Sequence, residues 1–428
     1  MSTQAWVFCG ARRLPVPRAD AFAPPAAATE PSTAVDALVD AALAEPLGAP
    51  RLRDAARGAR SVVVTIPDAS RLCPSEPVLT ALLDELRHAG VSPEAVAVAI
   101  GCGLHATTGA AERDRLAGAS VASRLEVFDA QGIESETVDL GETALGAPIR
   151  IERRVAEADL AVTVGVVEPH LYAGFSGGVK GVAIGCAGRE TIGWTHRPAF
   201  ISGPGVTLCR LSDNPFQITL REIAARTPLR WGVNLVMSAD GGTAAVRAGD
   251  PAVIQEALAD ELAGSSLRDV GERYDAVVAG VLAPKSDNLY QASRAATYIG
   301  LAARPAVTEG GLIVICADVP DGAGNGPGER NFLDLLAAAA SPAELLERAL
   351  REPLGPGGQR SFVVANVLAR FRLALVGAAD RAFLDPLERL GVAAFDSVDA
   401  ALAAEDARLG RRARVLAVAD GLSTVVHT

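Results

Sequence analysis

Short runs of apolar, largely β-branched residues recur along the first part of the chain, and each run ends at a polar or glycine-rich turn. The runs lie at residues 61–66, 95–100 and 158–167. Between them are stretches with the spacing of amphipathic helices, such as 78–88 and 112–117. Continuous apolar strands that alternate with helices are typical of a buried, mostly parallel sheet. We therefore predict an α/β fold here.

A second series of the same kind occupies the last third of the chain. Its apolar runs and helical stretches lie at 274–280, 311–316, 372–377, 415–419, 341–351 and 398–405. The polar stretch 268–273 separates the two series, and 428 residues are enough for two domains. We predict two α/β domains with mostly parallel sheets, at residues 1–272 and 273–428. The active site is expected in the interdomain cleft, where such pockets commonly form.

The N-terminal segment departs from the alternating pattern. Residues 12–35 are rich in proline and alanine, which predicts an extended arm or loop, whereas the spacing in 36–60 predicts helix. The first residues lack the charged and apolar regions of a secretion signal, and no apolar run is long enough to cross a bilayer. We therefore expect a cytoplasmic protein with no membrane partner.

Charge and cysteine content exclude several classes of protein. The formal net charge is −11, which disfavours binding to a nucleic-acid backbone or to an anionic membrane. The six cysteines are dispersed and form no C-x-x-C pair. Neither a disulfide framework nor a zinc ribbon is indicated, and a reducing compartment fits this usage. A small-molecule ligand is therefore the expected partner.

Lysine is nearly absent from this chain, which has only Lys180 and Lys285 against 38 arginines. Lys180 ends the run Glu-Pro-His-Leu-Tyr-Ala-Gly-Phe-Ser-Gly-Gly-Val-Lys. An arginine can replace lysine as a surface charge, but its guanidinium stays protonated and cannot act as a nucleophilic or covalently linked amine. The run is not a Walker A loop, because Val179 separates the glycines from the lysine and no Ser or Thr follows. Lys180 is therefore the first candidate for a functional residue.

Polar residues follow the apolar runs at the points where ligands collect in parallel sheets. Asp68, His105 and His170 each come just after such a run, and His196 follows further on. The three histidines fit either a three-histidine zinc site or separate, hydrogen-bonded structural positions. Asp68 with Arg71 fits either a structural ion pair or a clamp for a carboxylate or phosphate.

Taken together, the motifs resemble those of the lactate racemases that carry a nickel-pincer cofactor. They are Asp68-x-Ser70-Arg71, Gly103-Leu104-His105 with Thr108 and Glu112, the run from Glu168 to Lys180, His196, Asn214-Pro215 and Asn288-Leu289-Tyr290-Gln291. In order and spacing they extend over residues 60–300. The Ala-Gly-Phe-Ser-Gly-Gly-x-Lys segment is the most specific of them, and the C-terminal third matches more loosely.

The resemblance implies a cofactor and its attachment. The cofactor is a nickel-pincer nucleotide, a pyridinium-3-thioamide-5-thiocarboxylic acid mononucleotide that holds Ni and is covalently attached at Lys180. His196 is implied as the protein ligand of nickel. The other implied cofactor-binding residues of the N-terminal domain are Asp68, Ser70, Arg71, Ser176, Gly177 and Gly178. Because such a cofactor has to be synthesised, maturation enzymes are implied as partners.

The resemblance also implies a reaction. A 2-hydroxy acid is racemised or epimerised by reversible hydride transfer to the cofactor, with His105 and His170 as acid/base groups. The remaining implied catalytic residues are Asp68, Arg71, Gln291 and Arg294. Imidazole is a good nickel ligand and a good proton carrier near neutral pH, so these assignments fit the residue types. A homo-oligomer is compatible with the sequence.

Three departures from the family bear on the substrate. Val179 stands where the family usually has a basic residue, Arg294 stands where the lactate enzymes have lysine, and no aromatic residue is evident near 357–360. They favour a larger 2-hydroxy acid over lactate. Two alternatives stay open: a zinc or nickel hydrolase or lyase with histidine ligands and no tethered cofactor, and a non-catalytic binder of 2-hydroxy acids.

Overall fold

The computed structural model describes residues 4–25, 34–238 and 241–428, which form two compact units. Residues 28–264 form one, here the N-terminal unit, and residues 1–27 with 265–428 form the other, here the C-terminal unit. This division differs from the predicted one at its start. The strand Ala21–Ala23 pairs in parallel with Val415–Val418, so the beginning of the chain belongs to the sheet of the C-terminal unit.

The N-terminal unit is built on a six-stranded sheet. Its strands, in spatial order, are Thr243–Gly249, Leu229–Met237, Leu160–Val166, Val62–Pro67, Val96–Gly103 and Glu126–Gln131. The first is antiparallel to its neighbour, and all other pairs are parallel. Every residue of Leu160–Val166 is buried, as expected for a strand covered on both faces.

Helices and small antiparallel pairs complete the N-terminal unit. The helices are Val35–Ala44, Leu52–Ala55, Ser75–His88, Ala110–Ala117, Ala119–Ala122, Arg153–Ala156, Lys180–Ala183, Arg189–Thr195, Pro198–Ile201, Pro215–Ala225 and Pro251–Ser266, with a 3-10 turn at Pro93–Ala95. Two antiparallel pairs lie beside the main sheet, Thr137–Glu142 with Pro148–Glu152 and Pro169–His170 with Gly174–Phe175. The last pair begins the loop that leads to Lys180.

The C-terminal unit has its own six-stranded sheet, in which all neighbours are parallel. Its strands, in spatial order, are Val392–Phe395, Arg372–Val376, Val307–Cys316, Tyr274–Gly280, Val415–Val418 and Ala21–Ala23. Its helices are Leu289–Gly300, Pro327–Ala338, Pro342–Arg351, Gly358–Leu368 and Val398–Leu409, with a 3-10 helix at Ala382–Leu390. Two short pairs, Trp6–Cys9 with Arg12–Pro15 and Leu267–Asp269 with Val425–His427, complete it. The predicted α/β class with mostly parallel sheets is confirmed for both units.

Two local predictions differ from the structure. The predicted arm contains the strands Arg12–Pro15 and Ala21–Ala23, and its residues 26–33 lie outside the described part of the chain. Of the predicted helical stretch 36–60, only Val35–Ala44 and Leu52–Ala55 are helical. Within the described residues, every helix is too short or too polar to traverse a lipid bilayer.

Candidate active site

Three loops that follow adjacent central strands of the N-terminal sheet carry Asp68, His105 and His170. Because these strands are parallel, their carboxyl ends lie at one edge of the sheet. The sequence predicted the three residues to follow apolar runs. In the structure Asp68, His105 and His170 lie one, two and four residues after the ends of the corresponding strands. Two of them, Asp68 and His105, are in direct contact.

Asp68 and His105 form a hydrogen-bonded acid/base pair. Oδ2 of Asp68 lies 2.6 Å from Nδ1 of His105, and Oδ1 accepts hydrogen bonds from the Ser70 hydroxyl at 2.6 Å and the Ser70 amide at 3.1 Å. Burial by itself would raise the pKa of Asp68, but His105, the hydrogen bond from Ser70 and the charge of Arg71 outweigh it and lower that pKa. A carboxylate at Nδ1 keeps the ring proton there, so Nε2 of the half-exposed imidazole retains its lone pair and can accept a proton.

The backbone around His105 is fixed by its neighbours. Gln131 donates its side-chain amide to the His105 carbonyl at 3.0 Å. Thr108, on the other side, donates its hydroxyl to Asp129 at 2.6 Å, and Arg113 forms an ion pair with the same carboxylate at 2.6 Å. Thr108, part of the family motif, therefore braces the loop that presents His105.

His170 has the opposite arrangement of donors and acceptors. Its Nδ1 accepts the backbone N–H groups of Tyr172 at 3.3 Å and Ala173 at 3.2 Å. A neutral imidazole with an acceptor at Nδ1 carries its proton at Nε2. That Nε2 lies 3.0 Å from Nζ of Lys180.

The contact between His170 and Lys180 places the amine beside an imidazole nitrogen. An uncharged amine can accept a hydrogen bond from Nε2–H, whereas an ammonium group has donors only. The uncharged amine is the nucleophilic form. Lys180 is partly buried at the start of the short helix Lys180–Ala183, so its amine lies at the end of the glycine-rich loop and beside His170.

The glycine-rich loop is shaped by buried polar side chains. Gly177 and Gly178 have φ values of +77° and +56°, and a Cβ at either one would collide with Asn234 or Gln255. Asn234 accepts the Gly178 amide at 2.6 Å, and Gln255 donates to the Ser176 carbonyl at 3.0 Å. These two glycines are therefore required by the fold of the loop.

Ser176 and Val179 face the protein interior. The Ser176 hydroxyl donates to the Val166 carbonyl at 2.7 Å and accepts the Glu168 amide at 3.1 Å. Val179 is 7% exposed, so a basic residue at this position would have to be buried. Local packing in this chain therefore favours an apolar residue at position 179.

His196 is oriented by the helix that it terminates, Arg189–Thr195. Its Nδ1 lies 3.0 Å from the Ile192 carbonyl, to which it donates, and 3.1 Å from the Thr195 hydroxyl. The proton is therefore on Nδ1, and Nε2 keeps the lone pair that a metal requires. A carbonyl partner at the second ring nitrogen is the usual way in which proteins fix a ligating histidine.

Aromatic rings connect His170 and His196. Tyr172 packs edge-on against both imidazoles, with ring centroids 5.7 Å from His170 and 5.8 Å from His196. Phe216 lies 5.4 Å from the His196 ring. Asn214 holds this arrangement by donating to the Tyr172 carbonyl at 2.8 Å and accepting the Phe216 amide at 3.0 Å. The Asn214-Pro215 motif therefore positions the aromatic wall between the two histidines.

The remaining predicted residues have other partners. Arg71 forms a close, partly buried ion pair with Glu168, so its charge is shared with a protein carboxylate. Gln291 and Arg294 lie in the C-terminal unit on helix Leu289–Gly300. There Arg294 is 6% exposed and donates to the Tyr298 hydroxyl at 2.8 Å.

A three-histidine zinc site is not formed. Within residues 4–25, 34–238 and 241–428, no three His, Cys, Asp or Glu side chains are gathered for a metal ion. The physical reason is that the three histidines have different partners: His105 pairs with Asp68, His170 contacts Lys180, and His196 is fixed by the Ile192 carbonyl.

Several residues that shape the site were not singled out from the sequence. Asn234 and Gln255 are fully buried amides inside apolar strand and helix patterns, and each is 0% exposed. A buried amide needs hydrogen-bond partners, so such a residue in an apolar pattern signals a specific contact. Tyr172 belongs to the quoted motif, but its place between two histidines follows from the turn and not from its spacing.

Comparison with known families also divides the chain into two parts. A family model described as the lactate racemase N-terminal domain matches residues 13–207, and one described as the lactate racemase C-terminal domain matches residues 275–426. A lactate racemase of Lactiplantibacillus plantarum is 28% identical over 393 residues, which cover 91% of this chain and 90% of the relative. A lactate racemase of Thermoanaerobacterium thermosaccharolyticum is 25% identical over 400 residues, with 91% and 90% covered.

Solved structures share the fold. The lactate racemase apoprotein from Thermoanaerobacterium thermosaccharolyticum has a TM-score of 0.89 to this chain at 23% identity, with 100% of both chains covered. A protein from Thermotoga maritima has a TM-score of 0.66 at 15% identity, with 88% of this chain and 97% of that chain covered. The predicted enzyme class, an isomerase of the racemase type, agrees with these relatives. The predicted resemblance is confirmed: this chain belongs to the lactate racemase family.

Proposed function

We propose that this isomerase racemises or epimerises a 2-hydroxy acid, using a nickel-pincer nucleotide that is covalently attached at Lys180. The observation that carries the proposal is the 3.0 Å contact between Nζ of Lys180 and Nε2 of His170, which fixes a primary amine at the end of the glycine-rich loop beside a candidate acid/base group. The amine is partly buried and is therefore not an ordinary surface charge. When bound, the cofactor supplies a hydride acceptor and donor.

The residues fit this cofactor. Lys180 offers the amine for the covalent bond, and His196 offers one imidazole lone pair at Nε2. A nickel ion whose other ligands come from the cofactor needs a single protein ligand of this kind. Arg71, with Asp68 and Ser70 beside it, is suited to an anionic group of cofactor or substrate, once Glu168 shares or releases the guanidinium.

The two other histidines supply complementary proton chemistry. His105, backed by Asp68, accepts the hydroxyl proton of a 2-hydroxy acid at Nε2, while His170 offers a proton from its Nε2–H. Loss of the hydroxyl proton lets the α-carbon become a carbonyl carbon, and a donor is needed when the hydroxyl is restored. We infer that the pair begins each turnover as one base and one acid.

The alternatives have less support. A zinc hydrolase with three histidine ligands lacks its ligand cluster among the described residues. A non-catalytic binder has no use for an Asp-His pair that holds a base or for a lysine fixed against a second histidine. Maturation enzymes, a cytoplasmic location and a homo-oligomer stay predictions from the family resemblance.

Racemisation in heavy water tests the proposed reaction. Cofactor-loaded protein is incubated with single enantiomers of several 2-hydroxy acids. The products are separated on a chiral phase, and their deuterium content is measured by mass spectrometry. We expect inversion with the α-hydrogen retained, because a transferred hydride does not exchange with solvent protons. Deuterium at the α-carbon would point to proton abstraction, and absence of inversion for all substrates would contradict the racemase proposal.

Replacing His196 tests the metal ligand. We expect His196→Ala to lose most of its nickel while the organic part of the cofactor stays attached at Lys180, because the two are held by different residues. Metal analysis measures the first and intact-protein mass the second. The matched control is His88→Ala on the surface of helix Ser75–His88, which should bind nickel as the wild type does. Equal nickel content in both variants would move the ligand elsewhere.

A further inference from the structure

Arg360 is a partly buried arginine whose guanidinium has no counter-ion among the described residues. Its Nε and Nη1 atoms are enclosed and lack a hydrogen-bond partner. Other arginines with an enclosed Nε, such as Arg18 and Arg221, are held by carboxylates at 2.6 and 2.7 Å. Leaving enclosed donors of a charged group without partners is costly, so an arginine of this kind indicates a missing anion.

The side chains around Arg360 are packed against one another. Its guanidinium carbon lies 5.5 Å from the centroid of the Tyr290 ring, and the neighbouring Gln359 donates to the Tyr290 hydroxyl at 3.2 Å. Phe332 packs edge-on against the same ring at 5.5 Å. Tyr290 is 8% exposed, so this arrangement is largely shielded from solvent.

Arg294 lies on the same helix as Tyr290, one turn further on. Burial raises the pKa of the Tyr290 phenol, and the charges of Arg360 and Arg294 pull that pKa down, so both guanidinium groups act on the same phenol. The acid that acts on this phenol is Glu329, whose carboxylate accepts the Gly326 amide at 2.6 Å and forms no ion pair with Arg360. Two guanidinium groups and one carboxylate therefore act on Tyr290.

We propose that Arg360, with Gln359 and Tyr290, binds a second acidic group of the substrate, so that this chain acts on 2-hydroxy acids that carry another carboxylate or a phosphate. The inference rests on the proposed function and on the catalytic role that the family resemblance implies for Arg294, which we assign to the carboxylate next to the hydroxyl carbon. One carboxylate pairs with one guanidinium fork, and a second guanidinium calls for a second oxyanion. A lactate-specific pocket would need only the first.

The decisive experiment compares substrates and Arg360 variants in the cofactor-loaded protein. Malate, 3-phosphoglycerate and lactate are tested as probes with a second carboxylate, a phosphate and no second acid, respectively. We expect kcat/KM of the wild type to be higher for malate or 3-phosphoglycerate than for lactate, and the better diacid identifies the group. In Arg360→Gln, the ratio of diacid to lactate kcat/KM should fall by about 10- to 100-fold, mainly through KM, because a charge-assisted hydrogen bond is lost.

Two further variants keep this test independent of folding. Arg360→Lys keeps the charge but loses the planar fork, so its ratio should lie between those of the wild type and Arg360→Gln. Arg351→Gln removes an exposed arginine of the same unit and should leave the ratio unchanged. A ratio in Arg360→Gln within about two-fold of the wild type, or a wild type that prefers lactate, would overturn the proposal.

Binding measurements separate this proposal from the proposed function. Calorimetric titration of malate and of 3-phosphoglycerate into cofactor-free protein needs no reaction. Binding that weakens about 10-fold or more in Arg360→Gln supports the anion site even if no substrate is inverted. Conversely, a chain that racemises lactate but binds neither diacid keeps the proposed function and refutes the second acid site.

Discussion

Lys180→Arg is expected to abolish cofactor attachment and, with it, racemisation. The guanidinium of arginine stays protonated and cannot supply the uncharged nitrogen that a covalent bond requires. Its planar head also cannot reproduce the compact amine that contacts Nε2 of His170. Because the cofactor supplies the hydride chemistry, the rate should fall by about 10⁶-fold or more, the lower end of typical enzymatic acceleration. Intact-protein mass after maturation reports attachment, and chiral chromatography reports the rate.

The chain contains a matched control for this variant. Lys285→Arg changes the other lysine, which lies in the C-terminal unit, and should attach the cofactor as the wild type does. Protein in which Lys285→Arg carries the cofactor mass and Lys180→Arg does not would assign the tether to a single residue. A cofactor mass on a Lys180→Arg protein, or full activity without any covalent mass, would contradict the proposed attachment.

The central strands of both sheets were predictable because burial on both faces leaves a continuous apolar signal. Leu160–Val166 and Tyr274–Gly280 are buried throughout and were located to within a few residues. The edge strand Glu126–Gln131 is partly exposed, so its sequence carries a weaker pattern. Ala21–Ala23 was missed for another reason: its partner, Val415–Val418, lies at the other end of the chain, and such pairing leaves no local trace.

The site could be predicted in its residues but not in their protonation states. Strand ends and the scarcity of lysine and histidine pointed to His105, His170 and Lys180. Which ring nitrogen of each histidine carries the proton depends on Asp68 in one loop and on two backbone N–H groups in another. These partners are set by the turns, so the division into one base and one acid emerges only from the folded chain. The unpaired state of Arg360 is likewise a tertiary property.

Asp68→Asn is expected to lower kcat/KM by about 10²- to 10⁴-fold while cofactor attachment is retained. An asparagine amide can donate to Nδ1 of His105, which would move the ring proton to Nε2 and remove the base. The loss must be equal for the two enantiomers, because the equilibrium constant between enantiomers fixes the ratio of their kcat/KM values at one. We therefore expect kcat/KM to fall by the same factor for both enantiomers. ¹⁵N NMR of the histidine rings reports the tautomer of His105.

The pH dependence of stability gives this prediction a second, independent readout. The pKa of Asp68 is lowered in the folded protein, so its charge stabilises the fold above the unfolded value of about 3.9 and ceases to do so as pH falls through the folded value. The melting temperatures of the wild type and Asp68→Asn should thus differ at neutral pH and converge in acid. The control is Asp84→Asn, which removes an exposed carboxylate of the same unit. It should keep the wild-type activity, and its melting temperature should show the same dependence on pH as that of the wild type. If Asp68→Asn keeps the wild-type tautomer of His105 and its rate, the carboxylate has no part in the base, and His105 would have to act without it.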